Sequence, residues 1–162
     1  MAVTTDIIAS WRSPRAAIRR HLGREASESF AFVLLLSFLI LTLVGQWPQT
    51  AREAFVAQEP SAAPRLLGRA LAVLATIPLW YALAALSHVI ARAFGGRGTW
   101  YGARLALFWA LFAATPGTLV YGLIVALAGK GPAIAFAGVL VFGGFLYLWG
   151  MMLAEAEAGK AP

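Results

Sequence analysis

The sequence predicts an all-α integral membrane protein: a helical bundle of four transmembrane helices preceded by an N-terminal interfacial amphipathic helix. Three observations carry this. The 162-residue chain is 60% hydrophobic and 12% charged, with mean hydropathy +0.76; soluble domains carry about 25% charged residues. A small soluble domain buries only about two-thirds of its surface, so this much apolar surface needs lipid around it. Four windows, 29–51, 70–91, 105–129 and 131–154, hold no Asp, Glu, Lys or Arg. Each meets the roughly 20 apolar residues that cross a hydrocarbon core. Finally, the cations segregate by side. In lipid every backbone N–H and C=O must be satisfied within its own segment, so the spans are helices.

The chain divides into a basic leader (1–28), a transmembrane bundle (29–154) and a short tail (155–162) that is expected to fray. The leader is polar and Arg-rich, without the early apolar run of a signal peptide. In it, Trp11, Ile18 and Leu22, extended by Ile7 or Ile8, form one face, and Arg12, Arg15, Arg19 and Arg20 lie mostly elsewhere. Ser13 is placed to cap a helix that begins at Pro14. Such a helix is expected to lie in the membrane interface. Arg12, Arg15, Arg19, Arg20 and Arg24 would then touch anionic lipid headgroups or a partner. The competing reading is a topology signal that also packs on the bundle.

The spans are expected at about 29–47, 68–92, 103–128 and 133–153. Between the first two, residues 48–67 read as the longest loop, with Pro60, Ser61 and Pro64 and one helical turn near 51–58. Pro78 should bend the second span. The third span carries Thr115, Pro116 and Gly117 at its centre. Two helices meeting there would each have roughly 13 residues, about 20 Å, too short to cross. The stretch is therefore one helix kinked at Pro116, which deprives the Phe112 carbonyl of its donor, with Thr115 and Thr118 placed to compensate. Either the kink serves packing, or it is a hinge or polar spot facing a cavity. Gly117, Gly122 and Ala126 on the third helix, and Gly138, Gly143 and Gly144 on the fourth, favour close approach between the two.

Orientation follows the positive-inside rule. Arg12, Arg15, Arg19, Arg20 and Arg24 fall on one side with Arg92, Arg97 and Arg104. The other side receives Arg52, Arg65, Arg69 and Lys130. Both termini are thus expected in the cytoplasm, with Lys160 adding to that side, and the Ala-, Arg- and Gly-rich composition points to a bacterial plasma membrane.

Chemistry-bearing residues are few. His88 is the one ionisable group inside a window, roughly 11 Å from its helix centre. It reads as an interfacial or structural histidine, or as a group handling a proton or ligand. Glu155 and Glu157 read as a solvated tail rather than a catalytic pair. The sequence has no His-Glu-x-x-His, Gly-x-Ser-x-Gly or phosphate-loop motif and no acidic residue within a span. Its lack of Cys removes disulfides, thiolate metal sites and a Cys nucleophile. The expectation is no catalytic residues, no metal and no cofactor. The basic charge is accounted for by topology, without nucleic acid.

The leader "SPRAAIRRHL" and the stretch "HVIARAFGGRGTWYGARLALFWALFAATPG", a Gly-rich cationic link entering a helix with a mid-span Pro, resemble the Yip1 domain family in its bacterial branch. The resemblance covers about 14–152 and is strongest from His88 to Gly117. It implies a helical membrane bundle with a cytoplasmic N-terminus. Eukaryotic members are linked to Rab GTPases and vesicle traffic, but their Asp-Leu-Tyr-Gly-Pro motif is absent here, so no GTPase partner carries over. Members usually have five spans, against four counted here. The leading expectation is a non-enzymatic protein that organises membrane or binds a partner, in contact with anionic lipids. The alternatives are an accessory or assembly subunit among other membrane protein subunits, and a small transporter or lipid-translocating protein using Pro116 and His88.

Overall fold

The computed structural model describes residues 3–58, 61–128 and 131–159; Lys130, Lys160 and Pro60 lie outside the described residues. It contains seven helices among them: α1 (Val3–Arg12), α2 (Pro14–Leu22), α3 (Glu28–Val56), α4 (Ala63–Ala75), α5 (Ile77–Ala93), α6 (Trp100–Ala128) and α7 (Pro132–Glu157). Four apolar runs are long enough to cross a bilayer: α3, the α4–α5 pair, α6 and α7.

Helix α3 starts where Ser27 caps it, its hydroxyl accepting the Phe30 N–H at 3.2 Å. It then runs through Pro48 to Val56, so much of the stretch read as a loop from residue 48 is helical. The second span is interrupted at Thr76, as the bend expected from Pro78 requires. Pro78 has no N–H for the Leu74 carbonyl and crowds it. The chain turns at Thr76, whose hydroxyl donates to the Val73 carbonyl at 2.6 Å and accepts from Trp80 Nε1 at 3.0 Å. Helix α6 is continuous through Pro116, as expected for one spanning helix rather than a hairpin.

The core is built around one half of α6. Leu105 to Leu111 are buried on every side, together with Ala113, Ala114 and Thr115. From Pro116 onward the helix is half-buried or exposed apart from Ala126. Pro116 therefore stands where α6 passes from full burial to a partly exposed half that still touches α3 and α7. Glycine sets the approach at two places. A side chain on Gly122 would run into the Gly45 backbone, so α3 and α6 touch main chain to main chain. Gly117 faces Val141 of α7, whereas Gly144 faces the leader and Gly143 faces open space. Gly117 and Gly138, which faces Tyr121 of α6, thus bring α6 and α7 together, while Gly122 serves the approach to α3.

The leader is the main departure from the sequence reading. Pro14, Ala17, Ile18 and His21 are its buried α2 positions, and Ile18 belongs to the central core with Leu148 and Met152. Of the face expected to lie in the interface, Ile18 is buried on protein and Ile7 and Leu22 are half-buried, while Ile8 and Trp11 keep exposed edges. Trp11 Nε1 donates to the Ala113 carbonyl at 2.9 Å, and the Trp11 ring occupies the space beside Gly144. Trp109 Nε1 donates to Ser10 Oγ at 2.9 Å. Ala113 lies about 14 Å along α6 from Arg104, close to half of a roughly 30 Å hydrocarbon core. The far end of α2 returns to the surface, where Arg19 Nε meets Glu155 Oε1 at 2.8 Å. Helices α1 and α2 thus form a hairpin that enters the bundle from the end carrying the last turn of α7, here termed the terminal face.

Candidate functional site

The residues singled out from the sequence fall into three places. The five leader arginines, Arg12, Arg15, Arg19, Arg20 and Arg24, are all exposed. The buried stripe at positions 14, 17, 18 and 21 has helical spacing, so Arg15, Arg19 and Arg20 lie off the buried face. Arg19 pairs with Glu155, and Arg20 Nη2 lies 3.7 Å from Asp6 Oδ1 of α1. Ser13 stands at the N-cap of α2 but makes no side-chain capping bond.

His88 lies elsewhere, at the terminal face. It is 0% exposed, and its Nδ1 is 2.6 Å from Glu157 Oε1, itself 6% exposed. The second carboxylate oxygen accepts the Gly98 N–H at 3.2 Å, and the Glu157 carbonyl accepts the Arg97 N–H at 2.8 Å. The Trp100 ring covers the imidazole with centroids 4.4 Å apart. A β-carbon on Gly98 would sit 2.5 Å from the Ala156 carbonyl oxygen and 2.7 Å from Glu157 Oε2; one on Gly96 would sit 3.0 Å from the same oxygen. The "GGRG" link is therefore glycine-rich because it is pressed against the end of α7. Glu157 is not part of a solvated tail, as its position after the fourth span suggested. The cluster clasps α5, the α5–α6 link and α7 together. Both side chains are closed off from solvent, and His88 Nε2 has no hydrogen-bond partner among the described residues.

Thr115, Pro116 and Gly117 form the third place, remote from His88. Trp100, which covers His88, is about 22 Å along α6 from Thr115. Thr118 Oγ1 donates to the Thr115 carbonyl at 2.8 Å. The Trp11 indole reaches the Ala113 carbonyl, one residue beyond the carbonyl that Pro116 leaves without a donor. The leader tip, not His88, is thus the polar neighbour of this stretch.

Sequence reasoning missed three features. Glu157 is one: nothing local marks a residue whose partner lies 69 positions away. At the opposite end of the bundle, Glu53 receives Arg69 Nη2 at 2.7 Å and Gln49 Nε2 at 2.8 Å, and Arg52 Nη1 donates to the Ala126 carbonyl at 2.6 Å. Of these, Gln49, Arg52 and Glu53 line a cavity of about 390 Å³ with Val56, Arg65 and Val125. His21 is the third, although it continues the stripe Pro14, Ala17, Ile18 at the next helical position. Its ring sits 4.0 Å from Trp109 and 5.8 Å from Phe30, centroid to centroid. Burial first, and Arg24 next, hold its pKa below the ordinary histidine value, with Asp6 opposing and Arg20 adding to the shift.

Four apolar runs of spanning length, closed at the terminal face by His88–Glu157 and Arg104–Glu28, define a small multi-pass helical membrane protein. Within that class the chain belongs to the Yip1 domain family, whose family model matches residues 8–161. Comparisons with curated proteins and with solved structures give no match.

Proposed function

We propose that this Yip1-domain protein is non-enzymatic, sits in a bacterial plasma membrane with both termini in the cytoplasm, and organises its surroundings through the terminal face. The observation that carries this reading is the fixed basic surface of the leader. Four exposed arginines ride on α1 and α2, whose other faces are held in the bundle, and Arg24 follows directly after α2. Each cation beside an anionic leaflet contributes about 1 kcal/mol. A docked hairpin holds these charges in place without the ordering cost that a free tail would meet. The surface gathers anionic lipids or an acidic partner around the bundle.

Quenching of tryptophan fluorescence in proteoliposomes tests this. Brominated phosphatidylglycerol should quench more strongly than brominated phosphatidylcholine at low salt, and the difference should shrink in Arg15→Gln/Arg19→Gln/Arg20→Gln. Equal quenching by the two lipids in the unmodified protein would contradict the reading.

A further inference from the structure

Beside the leader hairpin lies a cavity of about 320 Å³, bounded by α1, α2, the first turn of α3 and α6. Arg20, His21 and Arg24 bring basic groups to its wall, against one carboxylate, Asp6. Phe30 and Trp109 supply aromatic faces and Val3 an exposed apolar edge. His21 is 5% exposed, yet its Nδ1 has no hydrogen-bond partner among the described residues. A buried polar atom left in this way costs stability unless something meets it. Arg20 reaches Asp6 only at 3.7 Å, which leaves most of its donors uncommitted to that carboxylate.

We propose that this cavity binds the phosphate of a lipid headgroup. Guanidinium forks match phosphate oxygens in pairs, and Arg20 and Arg24 flank the imidazole that lacks a partner. The position favours a lipid over a soluble anion. Trp109 lies about 7 Å along α6 from Arg104, at the depth where headgroup gives way to acyl chain, and Val3 and Phe30 offer apolar contact to the glycerol and upper chain. Since Arg24 helps to hold the imidazole neutral, an anion placed between them relieves that repulsion. The proposal rests on the reading of the terminal face as the side of an anionic leaflet, but it goes further by assigning one site to one headgroup.

Native mass spectrometry of the whole protein, released from nanodiscs of equal phosphatidylglycerol and phosphatidylcholine, tests it. One phosphatidylglycerol should remain per chain in preference to phosphatidylcholine. Arg24→Gln should lower the retained fraction about tenfold, and His21→Phe, which keeps a ring between Trp109 and Phe30, should do the same. Arg15→Gln, on the outward face of α2 and part of the diffuse basic surface only, should lower it much less than Arg24→Gln does. Equal retention of both lipids, or no retained lipid, overturns the site. Equal loss in Arg24→Gln and Arg15→Gln also overturns it, while preserving the diffuse basic surface. Displacement by millimolar inorganic phosphate would show that the same groups take a free anion and not a lipid. If His21→Phe fails to fold, Arg24→Gln alone decides, because its side chain is exposed.

Discussion

Gly98 and the His88–Glu157 pair show how little room single residues have at the terminal face. A methyl group at Gly98 meets the Ala156 carbonyl oxygen at 2.5 Å, and that backbone cannot rotate away as a side chain could. Gly98→Ala should therefore destabilise by about 1–3 kcal/mol, the usual cost of overpacking. Gly143→Ala, whose added carbon meets nothing within 4 Å, should be neutral or slightly stabilising by thermal melts in detergent. A Gly98→Ala protein that melts with the parent would refute the pressed-loop geometry. His88→Ala leaves a buried carboxylate with only the Gly98 N–H, so a loss of about 3 kcal/mol is expected, within the range for breaking a buried pair. Once Glu157→Ala is already present, the further cost of His88→Ala should be much smaller. Additive losses in that double-mutant cycle would mean the two side chains do not interact.

The leader is where element-scale reasoning both succeeded and fell short. The spacing of Trp11, Ile18 and Leu22 correctly separated an apolar face from the arginines, because helical periodicity is local and visible. What that face packs against is a non-local question. Lipid and protein are equally acceptable to such side chains, and the room that Gly144 leaves for Trp11 and Gly102 leaves for Leu22 depends on residues far along the chain. Docking carries a pH dependence through His21. Its pKa is lowered from the ordinary 6.5, by burial first and Arg24 next, with Arg20 adding and Asp6 opposing; Trp109 and Phe30, packed on it from α6 and α3, carry no charge. The docked leader therefore binds fewer protons than the undocked one, and docking weakens as pH falls through 6.5 toward the lower docked value. Hydrogen exchange of α2 amides in zwitterionic detergent, corrected for intrinsic rates, should show less protection at about pH 5.5 than at about pH 7.5. His21→Gln should flatten the difference. A profile that does not change with the variant would remove His21 as its source.

At the scale of the whole molecule, the four-span bundle was legible because charge-free windows of spanning length have one physical outcome in lipid. Pro116 was legible for the same reason: two half-length helices cannot cross. Helix ends were less so, and α3 ran past Pro48 because a proline interrupts one hydrogen bond without forbidding the next turn. The Glu157 clasp and the His21 cavity were not legible, since each depends on helices far apart in sequence meeting at one face. Orientation adds a prediction at this scale. With eight cations assigned to the terminal face and four to the other, reporter fusions at the C-terminus and within residues 57–62 should report the cytoplasm and the opposite side respectively. A C-terminus outside the cytoplasm would reverse the proposed orientation.

The docked leader is the feature on which the basic surface and the headgroup cavity both depend. The chain has no cysteine, so engineered pairs can be read without background. In native membranes, Arg19→Cys/Glu155→Cys should form an intramolecular cross-link with a short bismaleimide, because Arg19 Nε and Glu155 Oε1 stand 2.8 Å apart. Arg19→Cys/Val125→Cys, with the second thiol toward the other end of α6, should form none. If residues 19 and 155 each accept a monofunctional maleimide yet fail to cross-link, the leader lies away from the bundle and the docked hairpin is wrong.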